Sequence, residues 1–253
     1  MAKDNKLQKQ GSSELTAPSF MQDDKGQRTG AEHFTKDDIL MPRIGIAQGL
    51  SPQLDEDKAQ FIPGLKNFEM FNSVTGEIYG KGPIFFYVIH AGKPRGVQFK
   101  PRDEGGGVLD PNVALDDERM KFGDKGEKPI ATKFYDYIVV FENLETIIAL
   151  SMKSTMLKVA RQLNALIQFR DMPIYAGRYE LKVVKETNSQ GTWGLFSISN
   201  AGWPPTEESY NTLKELYERF KEEKVDIDWE GREAEAEDTV KPAAEPVQGN
   251  VPF

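Results

Sequence analysis

The apolar and polar positions of this chain change rhythm along its length, and each rhythm predicts a different kind of element. Residues 1–38 are polar, rich in Lys, Gln, Asp and Gly, and have no period, which predicts a disordered arm. Pro42 and Pro52 interrupt the next stretch, DDILMPRIGIAQGLSPQLDE, so it reads as extended chain over one side of a core. From Asn67 the pattern turns strand-like. EMFNSVTGEIYG predicts a hairpin turning near Thr75 and Gly76. PIFFYVIHA (residues 83–91) and GVQFKPR (residues 96–102) predict short strands separated by Gly–Lys–Pro turn chemistry. Residues 103–132 carry DEGGG, DPN, DDER and GDKGEKP, which predicts a long loop.

The second half is more regular. FYDYIVVFENLETIIALSMKS predicts strands over residues 134–141 and 146–152. STMLKVARQLNALIQFR is the clearest helix, with Ser154 or Thr155 as cap. Met156, Val159, Ala160, Leu163, Leu166, Ile167 and Phe169 fall mostly at i, i+3, i+4. AGRYELKVVKETNSQGTWGLFSISNAG predicts a hairpin turning over residues 188–191. In PPTEESYNTLKELYERFKEE, Thr206 is the expected N-cap, with Glu207 and Glu208 in the first turn. Leu213, Leu216, Tyr217 and Phe220 make the apolar stripe. Periodicity is lost again beyond Val225. Strands do not alternate regularly with helices, so a doubly wound parallel sheet does not fit. The expected class is mainly β (α+β), an OB-fold-like antiparallel barrel with an inserted helix over residues 39–205. A C-terminal helix over residues 206–224 and disordered arms at 1–38 and 225–253 complete the expected organisation.

Composition mainly excludes. The chain has 253 residues, 38% apolar and 28% charged, enough for one large domain or two small ones. The longest apolar run, IFFYVI, is far short of the ~20 residues a membrane helix needs, so no membrane partner is expected. The first residues show no apolar h-region, so a cytoplasmic setting is expected. The absence of cysteine removes disulfides, thiolate catalysis and cysteine-ligated zinc. His33 and His90 are far apart, and no Ser–His–acid set is visible. The EGGG of residues 104–107 is followed by no Lys–Ser/Thr, so it fails as a phosphate loop. Asp110, Asp116, Asp117 and Glu118 lack EF-hand spacing and read as a solvated loop. No catalytic residue, cofactor or metal is expected, and the protein reads as non-enzymatic.

Charge distribution changes the picture. Of the net −8, residues 225–253 carry −6, from eight acids (Asp226, Asp228, Glu230, Glu233, Glu235, Glu237, Asp238, Glu245) against Arg232 and Lys241. Residues 206–224 carry −2, which leaves residues 1–205 neutral. Within that neutral body two segments have no acid. Residues 78–102 hold Lys81, Lys93, Arg95, Lys100 and Arg102, and residues 146–170 hold Lys153, Lys158, Arg161 and Arg170. On one face they would form a groove that tracks a phosphate backbone. Tyr87, Phe99, Tyr135, Tyr137 and Trp193 lie in or near strands, where bases could stack on them, each worth ~1–3 kcal/mol. Strand alternation sends one set of such aromatics to the core.

The acidic terminal stretch ends on Asn250, Val251, Pro252 and Phe253. An aromatic ring beside a terminal carboxylate suits an apolar pocket flanked by Arg or Lys. This ending resembles the C-terminal tail of bacterial single-stranded DNA-binding proteins, which closes on an acidic–aliphatic–Pro–Phe peptide. Asn250 departs from that pattern, standing where an acid is expected. The segments LMPRIGIAQGLSP, FNSVTGEIYG and IIALSMKSTMLKVARQLNAL are similar to phage-encoded replication or recombination accessory proteins of the single-strand-binding type. The resemblance implies a tail that recruits replication and repair enzymes, and a location in the host cytoplasm if phage-encoded.

The expected function is sequence-tolerant binding of single-stranded DNA in phage replication or recombination. The expected contact residues are Lys93, Arg95, Phe99, Lys100, Arg102, Tyr135, Tyr137, Lys153, Lys158, Arg161, Arg178 and Trp193, with Val251, Pro252 and Phe253 for protein partners. The alternatives are a strand-annealing recombination protein, or a protein-only adaptor whose tail mimics nucleic acid.

Overall fold

The central strand, β7 (Ala131–Phe141), organises the sheet, because its two edges take three different partners. The computed structural model describes residues 40–101, 106–124, 126–189 and 191–222. The arms expected at 1–38 and 225–253, and the contact residues Arg102, Val251, Pro252 and Phe253, lie outside the described residues. Strand β8 (Ile147–Lys153) runs antiparallel along one edge of β7, from Phe134 opposite Lys153 to Val140 opposite Ile147. The other edge is divided. Strand β4 (Ile84–Ala91) takes residues 137–141, and β5 (Arg95–Phe99) takes residues 131–134.

The remaining strands extend this arrangement. β6 (Val108–Val113) pairs with β5, β9 (Arg178–Asn188) with β4, and β10 (Gly191–Asn200) with β9. The helix α1 (Leu157–Gln168) falls between β8 and β9, and α2 (Glu207–Glu222) follows β10. A three-stranded sheet joins β1 (Ile44–Ile46), β2 (Met70–Asn72) and β3 (Ile78–Gly80).

Residues 42–48 touch both ends of the order β10-β9-β4-β7-β8. The Ala149 amide of β8 donates to the Pro42 carbonyl at 2.8 Å. On β10, the Gln48 amide clamps the Gly194 backbone in both directions, at 2.9 and 2.8 Å. A Cβ at Gly194 would crowd Ile46, Phe68 and Val183, each at 3.1 Å, so glycine lets this segment pack closely on β10. The fold is mainly β, antiparallel and two-helical, consistent with the expected OB-like barrel.

Alternation gives the sheet two apolar faces. Phe86, Val88, Tyr137, Val139, Leu150, Met152 and Leu181 face inward, beneath Val159, Ala160 and Leu163 of α1. Burying each such aliphatic side chain stabilises by about 1.5–3 kcal/mol. On the outward face Tyr87, Ile89, Ile138 and Val140 lie under Leu213 of α2. The Tyr175 ring packs at 5.5 and 5.2 Å from those of Tyr210 and Tyr217, which fixes that helix. Thr206 caps α2 as expected, its hydroxyl accepting the Ser209 amide at 3.1 Å.

The strands expected at 83–91 and 96–102 form as β4 and β5, side by side on one edge of β7. Three local expectations change. The long loop contains β6, whose Asp110, Pro111 and Asn112 read locally as a turn. No side chain caps α1, since residues 154–156 form a 3-10 turn with Ser154 at φ 49°. Phe169 is not in the apolar stripe but past the end of α1, 87% exposed.

Candidate nucleic-acid interface

Three residues from three strands stand side by side on the outward face. Arg95 of β5 is opposite Phe134 of β7, which is opposite Lys153 of β8. Further along β5, Phe99 adds a second ring, its centroid 6.1 Å from that of Phe134. The Lys153 ammonium sits 5.3 Å from the Phe99 ring and 5.6 Å from Phe134, while the Arg95 guanidinium is 5.7 Å from Phe134. Each cation–ring contact of this kind is worth about 0.5–1 kcal/mol at an exposed site.

The two cations differ in what engages them. Arg95 donates its Nε to Asp136 Oδ2 at 3.0 Å and its Nη1 to the Pro111 carbonyl. Ser151 donates to the other Asp136 oxygen at 2.6 Å. The Arg95 and Asp136 side chains are only 11% and 3% exposed. Burial lowers the Arg95 pKa from its ordinary value, and the Asp136 charge opposes that shift. Arg95 is therefore a structural cation closing β5 onto β7, which corrects its assignment as a phosphate contact. Lys153 has no carboxylate partner among the described residues, nor do the exposed Lys93 and Lys100. Lys133, which the sequence reading passed over, lies 5.1 Å over the half-buried Tyr135 ring. The alternating ATKFYDY segment carried that signal, placing Lys133 and Tyr135 on one face and Phe134 and Asp136 on the other.

Several expected contacts lie elsewhere. Tyr137 and Tyr87 are fully buried and offer no ring to a base. The Tyr137 hydroxyl donates to Asn164 Oδ1 at 2.7 Å, and burial pushes its pKa up. Arg178 belongs to the row Arg178, Tyr87, Val140, Ile147, six residues along β7 from the Lys153 row, or about 20 Å. Glu142 holds Arg178 at 2.8 Å, and its guanidinium covers Phe85 at 3.8 Å. Lys158 is paired with Glu186, and Trp193 is half-buried opposite that same glutamate. Arg161 is exposed and, among the described residues, makes no ion pair.

The acids of the long loop have structural work. Arg119 donates to Asp110 at 2.9 Å, to Asp117 at 2.8 Å and to Gln98 at 2.8 Å. The Arg119 hydrogen bonds pull the Asp117 carboxyl down to about 2. Among the described residues no cluster of three or more His, Cys, Asp or Glu could hold a metal ion. No described helix is long and apolar enough to cross a membrane.

Fold and site together define a mainly antiparallel β protein with a lysine–aromatic surface on one sheet face. The chain belongs to the Pam3 phage gp34-like protein family, whose model matches residues 8–226. It is thus a member of a phage protein family. No curated protein and no solved structure matches it.

Proposed function

We propose that this phage-family protein binds single-stranded DNA without sequence preference, in the host cytoplasm, during replication or recombination. The observation that carries this reading is Lys153 poised between Phe99 and Phe134 with no carboxylate partner among the described residues, while exposed Lys93 and Lys100 stand just before and after β5. Lysines of that kind attract phosphates, and the half-buried Phe99 ring gives a base a surface to stack on. The surface lies on the β7–β8 pair and beside the inserted β5–β6 hairpin. An OB-type barrel grips oligonucleotides with one strand face and the loops beside it, the part this surface would play here. Lys133 and Tyr135 lie at the same end of β7, on its other face. No side chain on this surface reads base edges in a fixed pattern, hence the absence of sequence preference.

The acidic stretch at residues 225–253 is read as a tether that presents Pro252 and Phe253 to replication or repair proteins. Its acids would steer it to a basic pocket. A fluorescence titration with oligo-dT at about 50 and about 200 mM salt tests the main reading. Binding that weakens steeply between the two concentrations is expected. An absence of binding at the lower salt overturns the reading. Deleting residues 225–253 should leave the affinity unchanged or raise it, since a competing polyanion is removed.

A further inference from the structure

The acid-free run of residues 146–170 begins on β8 beside Lys153 and continues through α1. It ends in a groove between the end of α1 and the turn that follows β10. We propose that this groove is a second base-binding site for the same single strand, an inference that rests on the function proposed above.

The groove has a volume of about 480 Å³, within the ~300–1,000 Å³ range of small-ligand pockets. Ala165 keeps its floor low, and two aromatic rings stand at its sides. Phe169 is 87% exposed and Trp203 54% exposed. Large rings left in water on a folded surface are the kind of feature that marks a binding site. Trp203 is held in place, because the Arg170 guanidinium lies 4.5 Å from its ring centre. Arg170 is fixed in turn by Asn200 Oδ1 at 2.7 Å and by the Gly202 carbonyl.

Three features select a nucleobase over an apolar peptide or a second copy of the chain. No acid lines the groove, and Arg170 gives it a positive edge. Gln162 uses its amide nitrogen on the Ile198 carbonyl, and Asn200 uses its amide oxygen on Arg170 and the Gly202 amide. Gln162 Oε1 and Asn200 Nδ2 therefore remain as one acceptor and one donor with no partner among the described residues. A base has the flat face for the rings and the polar edge for those two amides. The third feature is the approach. Lys158, Arg161, Ala165 and Phe169 share the exposed side of α1, at i, i+3, i+7 and i+11. The twelve residues of α1 are about 18 Å long, so this stripe runs from just beyond the end of β8, whose last residue is Lys153, to the groove.

The test compares oligo-dT of about 6 and about 25 nucleotides, one near the short end and one beyond the long end of the ~4–16-nucleotide sites of single OB domains. Phe169→Ala combined with Trp203→Ala should weaken binding of the long strand by roughly 5- to 160-fold, the loss of one stacked base. The short strand, served by the Lys153 surface, should change less than about twofold. Trp203→Phe keeps a ring and should keep most of the affinity. With Trp193 and Trp229 replaced by Phe, the fluorescence of Trp203 should be quenched by the long strand, which needs no disruptive variant. Unchanged long-strand affinity in the double variant, or unquenched Trp203, overturns the second site while leaving the function standing. A double variant that loses a dimer by light scattering but binds DNA normally makes the groove a contact between copies, and also overturns it. A wild-type chain that binds neither strand overturns both.

Discussion

The outward face of β7 has two halves with opposite chemistry. Toward Phe141 it presents Ile138 and Val140, which α2 covers with Leu213. Toward Ala131 it presents Phe134 and Asp136, beside Arg95 and Lys153. The strand, the face and the pleat are the same. What differs is the neighbour on the shared edge. β4 brings Tyr87 and Ile89 to the first half, and β5 brings Arg95 and Phe99 to the second. The first half needs a helix to keep its side chains from water. The second carries its own polar closure and leaves its lysines at the surface. A strand's pattern thus sets which residues share a face, while its partners decide whether that face is core or contact surface.

The comparison breaks most readily at Asp136. Asp136→Ala removes the carboxylate that neutralises the buried Arg95, which costs about 3–5 kcal/mol, read as a lower denaturant midpoint. Replacing both partners, Asp136→Leu with Arg95→Met, should recover most of that loss, because a well-packed apolar pair avoids the desolvation penalty. A single variant as stable as wild type would mean the polar half is held by something other than this pair. Next comes Leu213→Ala, at about 2–5 kcal/mol, since the side chain is fully buried between α2 and the sheet. Its DNA affinity should not change where the chain remains folded. A loss of affinity in the folded variant would join the two halves functionally. Lys153→Ala should do the reverse. Stability should fall by no more than about 1–2 kcal/mol, the worth of its two cation–ring contacts. The slope of log affinity against log salt should fall by about 1, the signature of one lost phosphate contact.

Much of this contrast was legible in the sequence. The alternation in FYDYIVVF marked β7 as a two-faced strand, and the acid-free runs cover its neighbours β4, β5 and β8. The period of a strand does not say which face its neighbours cover. Tyr135 and Tyr137 lie on one face, yet Tyr137 is under α1 at the middle of β7, and only Tyr135 reaches the rim. Charge counting could not separate Arg95 from Lys153, because the carboxylate that engages Arg95 comes from β7, forty-one positions along the chain. β6 was hidden by Asp110, Pro111 and Asn112, residues that are poor strand formers individually but tolerable in an edge strand. The contacts of residues 42–48 with both β8 and β10 depend on Pro42 and Gln48 meeting strands more than a hundred positions away. Phe169 fitted a helical period one step too far, and the exposed ring was counted as core.

The smallest expected effect concerns a cation that, unlike Lys153, is fully engaged. Arg119 ties Asp110 and Asp117 together at the end of the inserted hairpin. Its side-chain hydrogen bonds, then its backbone amide, hold Asp117 at about 2, below the ordinary 3.8. Asp110 is lowered as well, first by the Asn112 amide and then by Arg119. A carboxyl depressed by folding binds fewer protons in the native state, so it stabilises above its unfolded value and loses that contribution as pH falls through its folded one. The hairpin end should therefore hold unchanged down to about pH 4 and loosen progressively toward about pH 2. A carboxyl-detected NMR titration reads this directly, with an Asp117 midpoint near 2 in the wild type. In Arg119→Ala the midpoint should return toward 3.8, while oligo-dT binding by Lys153 at neutral pH stays as it was. A wild-type midpoint already at 3.8 would show Arg119 to be as unengaged as Lys153, and the hairpin end would then belong to the binding surface.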